Sequence, residues 1–237
     1  MSTQFQQARA ALRGNTATGS DAALFSRIGF WAGVSVVQLI LCEFIVSATW
    51  RGLYSYRTNF VSELGVPFCG PSGNWPCSNL YVLMNASIAL FGIAVVVASL
   101  AWLVTGVLDA RGAVLLWIAG GGAVLAGVVD QATQYALHSF GATTMFILGS
   151  LGIIVAGGHR TLPQSTRITV TTLGAVALAA TILYLGGHDF GLGIGTVERI
   201  VAYCVLAAVV VLAFAHRKTA HRTAAFGKAA LGEAAHE

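Results

Sequence analysis

Eight side chains in this 237-residue sequence could do chemistry, and all lie toward the same ends of its long apolar runs: Glu43, Glu63, Asp130, His138, His188, Asp189, Glu198 and Arg199. An ionisable group beside lipid is costly, which makes each of them a functional candidate. Asp130 closes the third apolar run and His138 opens the fourth. A short turn should set them near each other, where an acid orients an imidazole for acid–base work or shares a metal with it. They form the candidate catalytic pair. Glu43, Ser62, Glu63, Glu198 and Arg199 form the candidate substrate-binding set. Glu198 and Arg199 are adjacent, so on a helix they diverge by about 100° and need different partners. A guanidinium there forks onto a carboxylate or a lipid phosphate. Glu43 lies deep in the first run, where a carboxylate faces protein, takes a proton, or pairs with a cation such as Arg51 or Arg199. His138, His188 and their neighbouring carboxylates are of the types zinc takes, but their spacing matches no recognised zinc motif. The sequence assigns no metal and no cofactor.

Between the first and second runs, the segment from Tyr54 to Gly65 is polar, aromatic and without helical periodicity, and it is expected to fold back over the helices. Ser62 has no Gly-x-Ser-x-Gly elbow around it and reads as a helix cap rather than a nucleophile. Cys69 and Cys77 flank a Gly- and Pro-containing loop and can close a short ring in an oxidising compartment. Cys42 and Cys204 lie inside apolar runs, where a thiol acts as a small hydrophobe. Ser35, Gln38, Cys42 and Thr49 share one stripe of the first helix, a polar side expected to turn inward.

The elements that carry these residues are set by composition. Hydrophobic residues make up 56% of the chain and charged ones 9%, whereas soluble domains carry about 25% charged residues. Six stretches are long and apolar enough to cross a bilayer: about 24–49, 80–104, 114–129, 138–156, 168–185 and 193–215, the third short and expected to extend toward Gln134. The fold class is all-α, a six-helix transmembrane bundle with a structured outer loop between helices 1 and 2. Residues 1–23 and 216–237 are tails, the second basic and expected to be loosely ordered. Arg9, Arg13, Arg27, Arg111, Arg160, Arg167, Arg217, Lys218, Arg222 and Lys228 fall on one side of the membrane, and Arg51, Arg57 and Arg199 on the other. The positive-inside rule then predicts a multi-pass protein of the cell membrane with both termini cytoplasmic and the Cys69–Cys77 loop outside. The cations are spread over helix ends and tails, which speaks against nucleic acid as a partner. Trp50, Tyr54, Tyr56, Trp75 and Tyr81 read as an interfacial belt. Ala119, Ala123 and Gly127 recur every four residues beside Gly120, Gly121 and Gly122, so the third helix should pack closely on its neighbours.

The order of these motifs, a Tyr eight residues before Ser62-Glu63-Leu64-Gly65, then Asp130 before His138 with Gly141-Ala142, then Glu198-Arg199 opening the sixth span, resembles the bacterial membrane family catalogued as domain of unknown function 998. The likeness covers roughly Ile28 to Phe214. It implies a six-span bundle with Ser62, Glu63, Asp130, His138, Glu198 and Arg199 as its marked polar positions, and it carries no settled activity. The Cys69–Cys77 insertion departs from the shorter loop expected there. A more distant likeness is to membrane hydrolases that include the alkaline ceramidases, whose third outer histidine this chain lacks. The residues point to an outward-facing polar pocket for a lipid or lipid-linked substrate, which it binds and could hydrolyse or modify. The alternative is a non-catalytic accessory or assembly subunit with a protein partner or a second copy of itself, and a further reading is a transporter titrating Glu43.

Overall fold

In a bilayer the backbone must satisfy its own polar groups, and this chain does so with helices. The computed structural model describes residues 19–67, 69, 72–73 and 77–233, with only the backbone given beyond Arg217. Trp75, Arg9, Arg13, His236 and Glu237 lie outside the described residues, as do the side chains of Lys218, His221, Arg222, Lys228 and Glu233. The helices are α1 (Gly19–Ser35), α2 (Gln38–Ala48), α3 (Tyr81–Val104), α4 (Ala110–Val128), α5 (Tyr135–Gly157), α6 (Gln164–Leu185) and α7 (Ile194–Glu233). A 3-10 turn at Ser62–Gly65 interrupts the loop between α2 and α3. Among the described residues no strand forms, and Trp50 and Ser78 make one isolated bridge. Six segments are long and apolar enough to cross a membrane, the first made of α1 and α2 together. Neighbours in sequence are neighbours in space, and α7 returns to pack on α1, which closes the ring.

The first span breaks near its middle. Val37, Leu39 and Ile40 bond three residues back, to Val34, Val36 and Val37, a tightening typical of a 3-10 stretch inside a helix. Gln38 follows the break and clasps α3: its Nε2 donates to the Ser87 carbonyl at 2.9 Å, and Ser87 Oγ donates back to Oε1 at 2.7 Å. The inward polar stripe is therefore real at Gln38 but not at Ser35, which is exposed and donates to the carbonyl of Ala32 in its own helix.

The α3–α4–α5 seam is closed by missing side chains. A Cβ on Gly92 would come within 2.3 Å of the Gly120 carbonyl, and one on Gly120 within 2.6 Å of the Gly92 carbonyl. Gly122 and Gly141 meet in the same way across α4 and α5, each within 2.6 Å of the other's carbonyl. Helices that approach this closely gain backbone-to-backbone packing that lipid cannot replace.

One expectation is corrected by the helix bounds. The third span lengthens backward to Ala110 instead of forward to Gln134, because the Asp109 side chain accepts from the Gly112 amide and starts the helix there. The backbone after His216 continues α7 through Glu233, in keeping with its Ala-rich composition.

Candidate functional site

Arg199 stands one turn into α7 and Glu43 on α2; they are 6% and 1% exposed. Arg199 Nε donates to Glu43 Oε1 at 2.8 Å. Tyr203, four residues after Arg199 and so on the same face of α7, donates to Glu43 Oε2. Both carboxylate oxygens are engaged. The rest of the guanidinium holds the loop: Nη1 donates to the carbonyls of Tyr56 at 2.7 Å, Asn59 at 2.8 Å and Gly195 at 2.9 Å. Nη2 donates to the Tyr54 hydroxyl, which itself donates to the Phe60 carbonyl. The guanidinium carbon also lies 5.6 Å and 5.1 Å from the Tyr54 and Tyr56 ring centroids, within cation–π range. Burial holds the Tyr54 hydroxyl above the ordinary phenol range despite the neighbouring guanidinium.

For the loop to come this close, the positions on either side of Ile194 at the start of α7 must be glycine. A Cβ on Gly195 would sit 2.3 Å from the Asn59 carbonyl, and Gly193, at φ +91°, lies against the Arg57 carbonyl. Arg57 joins two loops, donating from Nη2 to the Gly191 carbonyl and from Nε to that of Leu192.

Glu198 diverges from Arg199 as the helical angle requires. It is 5% exposed and accepts the Val61 amide on Oε2 at 2.7 Å; Oε1 has no hydrogen bond to a described residue. Beside it, the Tyr184 ring of α6 packs edge-on between Phe60 and Phe146, with centroids 5.9 and 5.3 Å away. Glu63 accepts from Asn59 Nδ2 at 2.7 Å. Ser62 does not cap a helix: its hydroxyl donates to Gln131 Oε1 at 2.7 Å and ties the 3-10 turn to the α4–α5 connection. Asn85 on α3 secures the other end of that turn through the Gly65 carbonyl.

Asp130 and His138 come to the same turn, yet each bonds elsewhere. The Asp130 carboxylate accepts from the amides of Ala132 and Thr133 and from the Thr133 hydroxyl. Slight burial raises its pKa, but these bonds outweigh that and hold it below the usual carboxylate value. His138, 4% exposed, points Nδ1 at the carbonyls of Ala126 and Val129, at 2.9 and 2.8 Å. The last carbonyls of a helix lack partners within it, and the imidazole of the following helix supplies one. The expected acid–imidazole bond is thus replaced by two backbone bonds. His188 is exposed, and Asp189 accepts the Gly191 amide. Among the described residues no three His, Cys, Asp or Glu side chains are grouped closely enough to hold a metal.

Cys69 and Cys77 are joined in a disulfide, with Cα atoms 5.1 Å apart. Arg51 N donates to the Cys77 carbonyl at 2.7 Å, and Thr49 Oγ1 lies 3.2 Å from Ser78 Oγ. The ring is thereby fastened to the end of the first span. Sequence reading passed over Tyr203, Asn59 and Gln131 as site residues; only Tyr203 had a signal, its four-residue offset from Arg199.

No curated protein and no solved structure matches the chain. A family model described as "Protein of unknown function (DUF998)" matches residues 32–215, from α1 to the end of the last membrane span. The match takes in Glu43, the Ser62–Gly65 turn, Asp130, His138 and the Glu198-Arg199 pair, and the chain belongs to the DUF998 family.

Proposed function

We propose that the disulfide-bearing end of the bundle faces outward and binds a lipid or lipid-linked amphiphile beside Glu198. The observation that carries this reading is the Glu198 carboxylate, almost fully buried yet with one oxygen left over by the protein. The proposed niche lies where Val61, just before the Ser62–Gly65 turn, meets Glu198, with Tyr184 within electrostatic reach of that carboxylate and the Arg199–Glu43 pair fixing the same turn of α7. The groups that face the niche, Glu198, Glu63 and the Tyr184 hydroxyl, are rich in acceptor oxygens, which suits a headgroup bearing hydroxyl or amine donors. Asp130 and His138 each have backbone partners, so the geometry favours binding over hydrolysis. Mass spectrometry of lipids that co-purify in mild detergent tests this. Glu198→Gln and Tyr184→Phe should each reduce a lipid species retained by the wild type, and an unchanged lipid complement in both would overturn the reading.

A second reading, an assembly subunit whose polar residues lock its helices, draws support from Arg199, whose three nitrogens all bond to protein. It predicts that Arg199→Gln reduces recovery of a protein partner or a homo-oligomer while leaving the lipid complement unchanged. A wild type that is monodisperse and alone after gentle extraction counts against it.

A further inference from the structure

At the opposite end of the bundle, where α5 ends and α6 begins, a groove of about 450 Å³ opens between the two helices. Its floor is Gly157 and Gly158, and α6 supplies Gln164, Arg167, Ile168 and Thr172 along its side. Gly157 lets α5 and α6 meet at the groove, since a Cβ there would sit 2.3 Å from the Thr171 hydroxyl. Arg167 Nε makes one long contact, 3.4 Å, to the Gly157 carbonyl. Its terminal nitrogens, the Gln164 amide and the Thr172 hydroxyl make no hydrogen bond to a described residue. The groove therefore holds a guanidinium and polar donors that the protein itself leaves largely unused.

The two helices that form it carry cations only: from Gln131 to His188 the sequence has no Asp or Glu, Arg160 lies in the α5–α6 connection and Arg167 opens α6. Asp109, at the start of α4 on the same end of the bundle, is engaged with the Gly112 amide. The first-turn amides of α6 have no side-chain cap and add a positive partial charge at the groove's mouth. Arg167 lies in the first turn of a membrane-spanning helix, at the level of the headgroups. Below it Ile168, Val176 and Ile182 are 59%, 43% and 64% exposed, an apolar face leading into the hydrocarbon.

We infer that this groove seats the phosphate of an anionic glycerophospholipid, with Arg167 forked onto the phosphate and an acyl chain along Ile168. A membrane lipid fits better than a soluble anion because polar donors and an exposed apolar face are continuous here. The site is separate from the Glu198 niche and does not depend on it.

The test uses the full chain in nanodiscs of equal parts phosphatidylglycerol and phosphatidylcholine, with retained lipids read by native mass spectrometry. The wild type should hold phosphatidylglycerol about tenfold over phosphatidylcholine, a difference near 1.4 kcal/mol. Arg167→Gln and Thr172→Phe, the second filling an exposed position without removing charge, should each bring the ratio close to one. Arg111→Gln, an exposed cation at the same end, should leave it unchanged. No preference in the wild type, a preference that survives both groove variants, or an equal loss with Arg111→Gln would overturn the inference. So would inorganic phosphate raising thermal stability as much as phosphatidylglycerol does.

Discussion

Two joints of this bundle are closed by opposite means. The α3–α4–α5 seam holds Gly92 against Gly120 and Gly122 against Gly141, with backbone on backbone and no charge. The joint between the first and last spans holds Glu43, Arg199 and Tyr203, with charge on charge. A seam of glycines tolerates lipid on every side because nothing in it needs a partner. A buried ion pair is different in kind: it is weak evidence for net stability, but removal of either member strands the other. It also reaches further, since Arg199 takes three other acceptors, on Tyr54, Tyr56 and Asn59, from a loop some 140 residues away in sequence. The seam builds the scaffold, and the ion pair decides where the loop lies upon it.

The sharpest way to break this contrast is to remove one charge. Glu43→Ala should destabilise the protein by about 3–5 kcal/mol, read as a fall in the thermal midpoint in detergent. The double variant Glu43→Met with Arg199→Met should lose less than either single change, and a strictly additive loss would deny the coupling. Cutting the disulfide with Cys69→Ser and Cys77→Ser closes off a different support for the same end of the molecule. Its expected effect is about 2–3 kcal/mol, and reductant should reproduce it in the wild type but do nothing further to the variant. In the seam, Gly92→Leu should cost about 1–3 kcal/mol through overpacking. Gly121→Leu, one residue past Gly120 but facing open space, should be close to neutral. The smallest effect belongs to Asp130, whose lowered pKa means that the fold favours its charged form. The stability it contributes is present above the ordinary carboxylate value and is lost as the pH falls through its lower folded value. Wild type and Asp130→Asn should therefore differ at neutral pH, draw together as the pH falls below about 4, and converge only below the lowered folded value, a trend visible in paired melting curves.

Much of the scaffold was legible because lipid imposes a simple rule. A run of apolar residues long enough to cross has one structural outcome, and the six spans follow from it. The Glu43–Arg199 pairing was open to the same logic, since a carboxylate at that depth has few possible cations. The Cys69–Cys77 ring was visible as two cysteines in one loop. The site's finer contacts were not visible. Asp130 and His138 have the right types and spacing to bond, but unpaired turn amides and the end carbonyls of α4 compete for them, and sequence does not display that competition. Ser62 went to Gln131 for a similar reason. Its partner is 69 residues away and belongs to no motif. The break at Val36 and Val37 was also hidden, because valines in an apolar run announce no interruption.

The sequence distance between Glu43 and Arg199, 156 residues, has a consequence for biogenesis. A ribosome adding roughly 5–20 residues per second needs on the order of ten seconds or more to pass from one to the other. Throughout that interval the first span waits in the bilayer with its acid unmatched, while four more spans are threaded beside it. The bundle can be completed only when the last helix arrives, so any truncation upstream of Arg199 leaves an intermediate in which Glu43 lacks both of the partners it has in the finished fold.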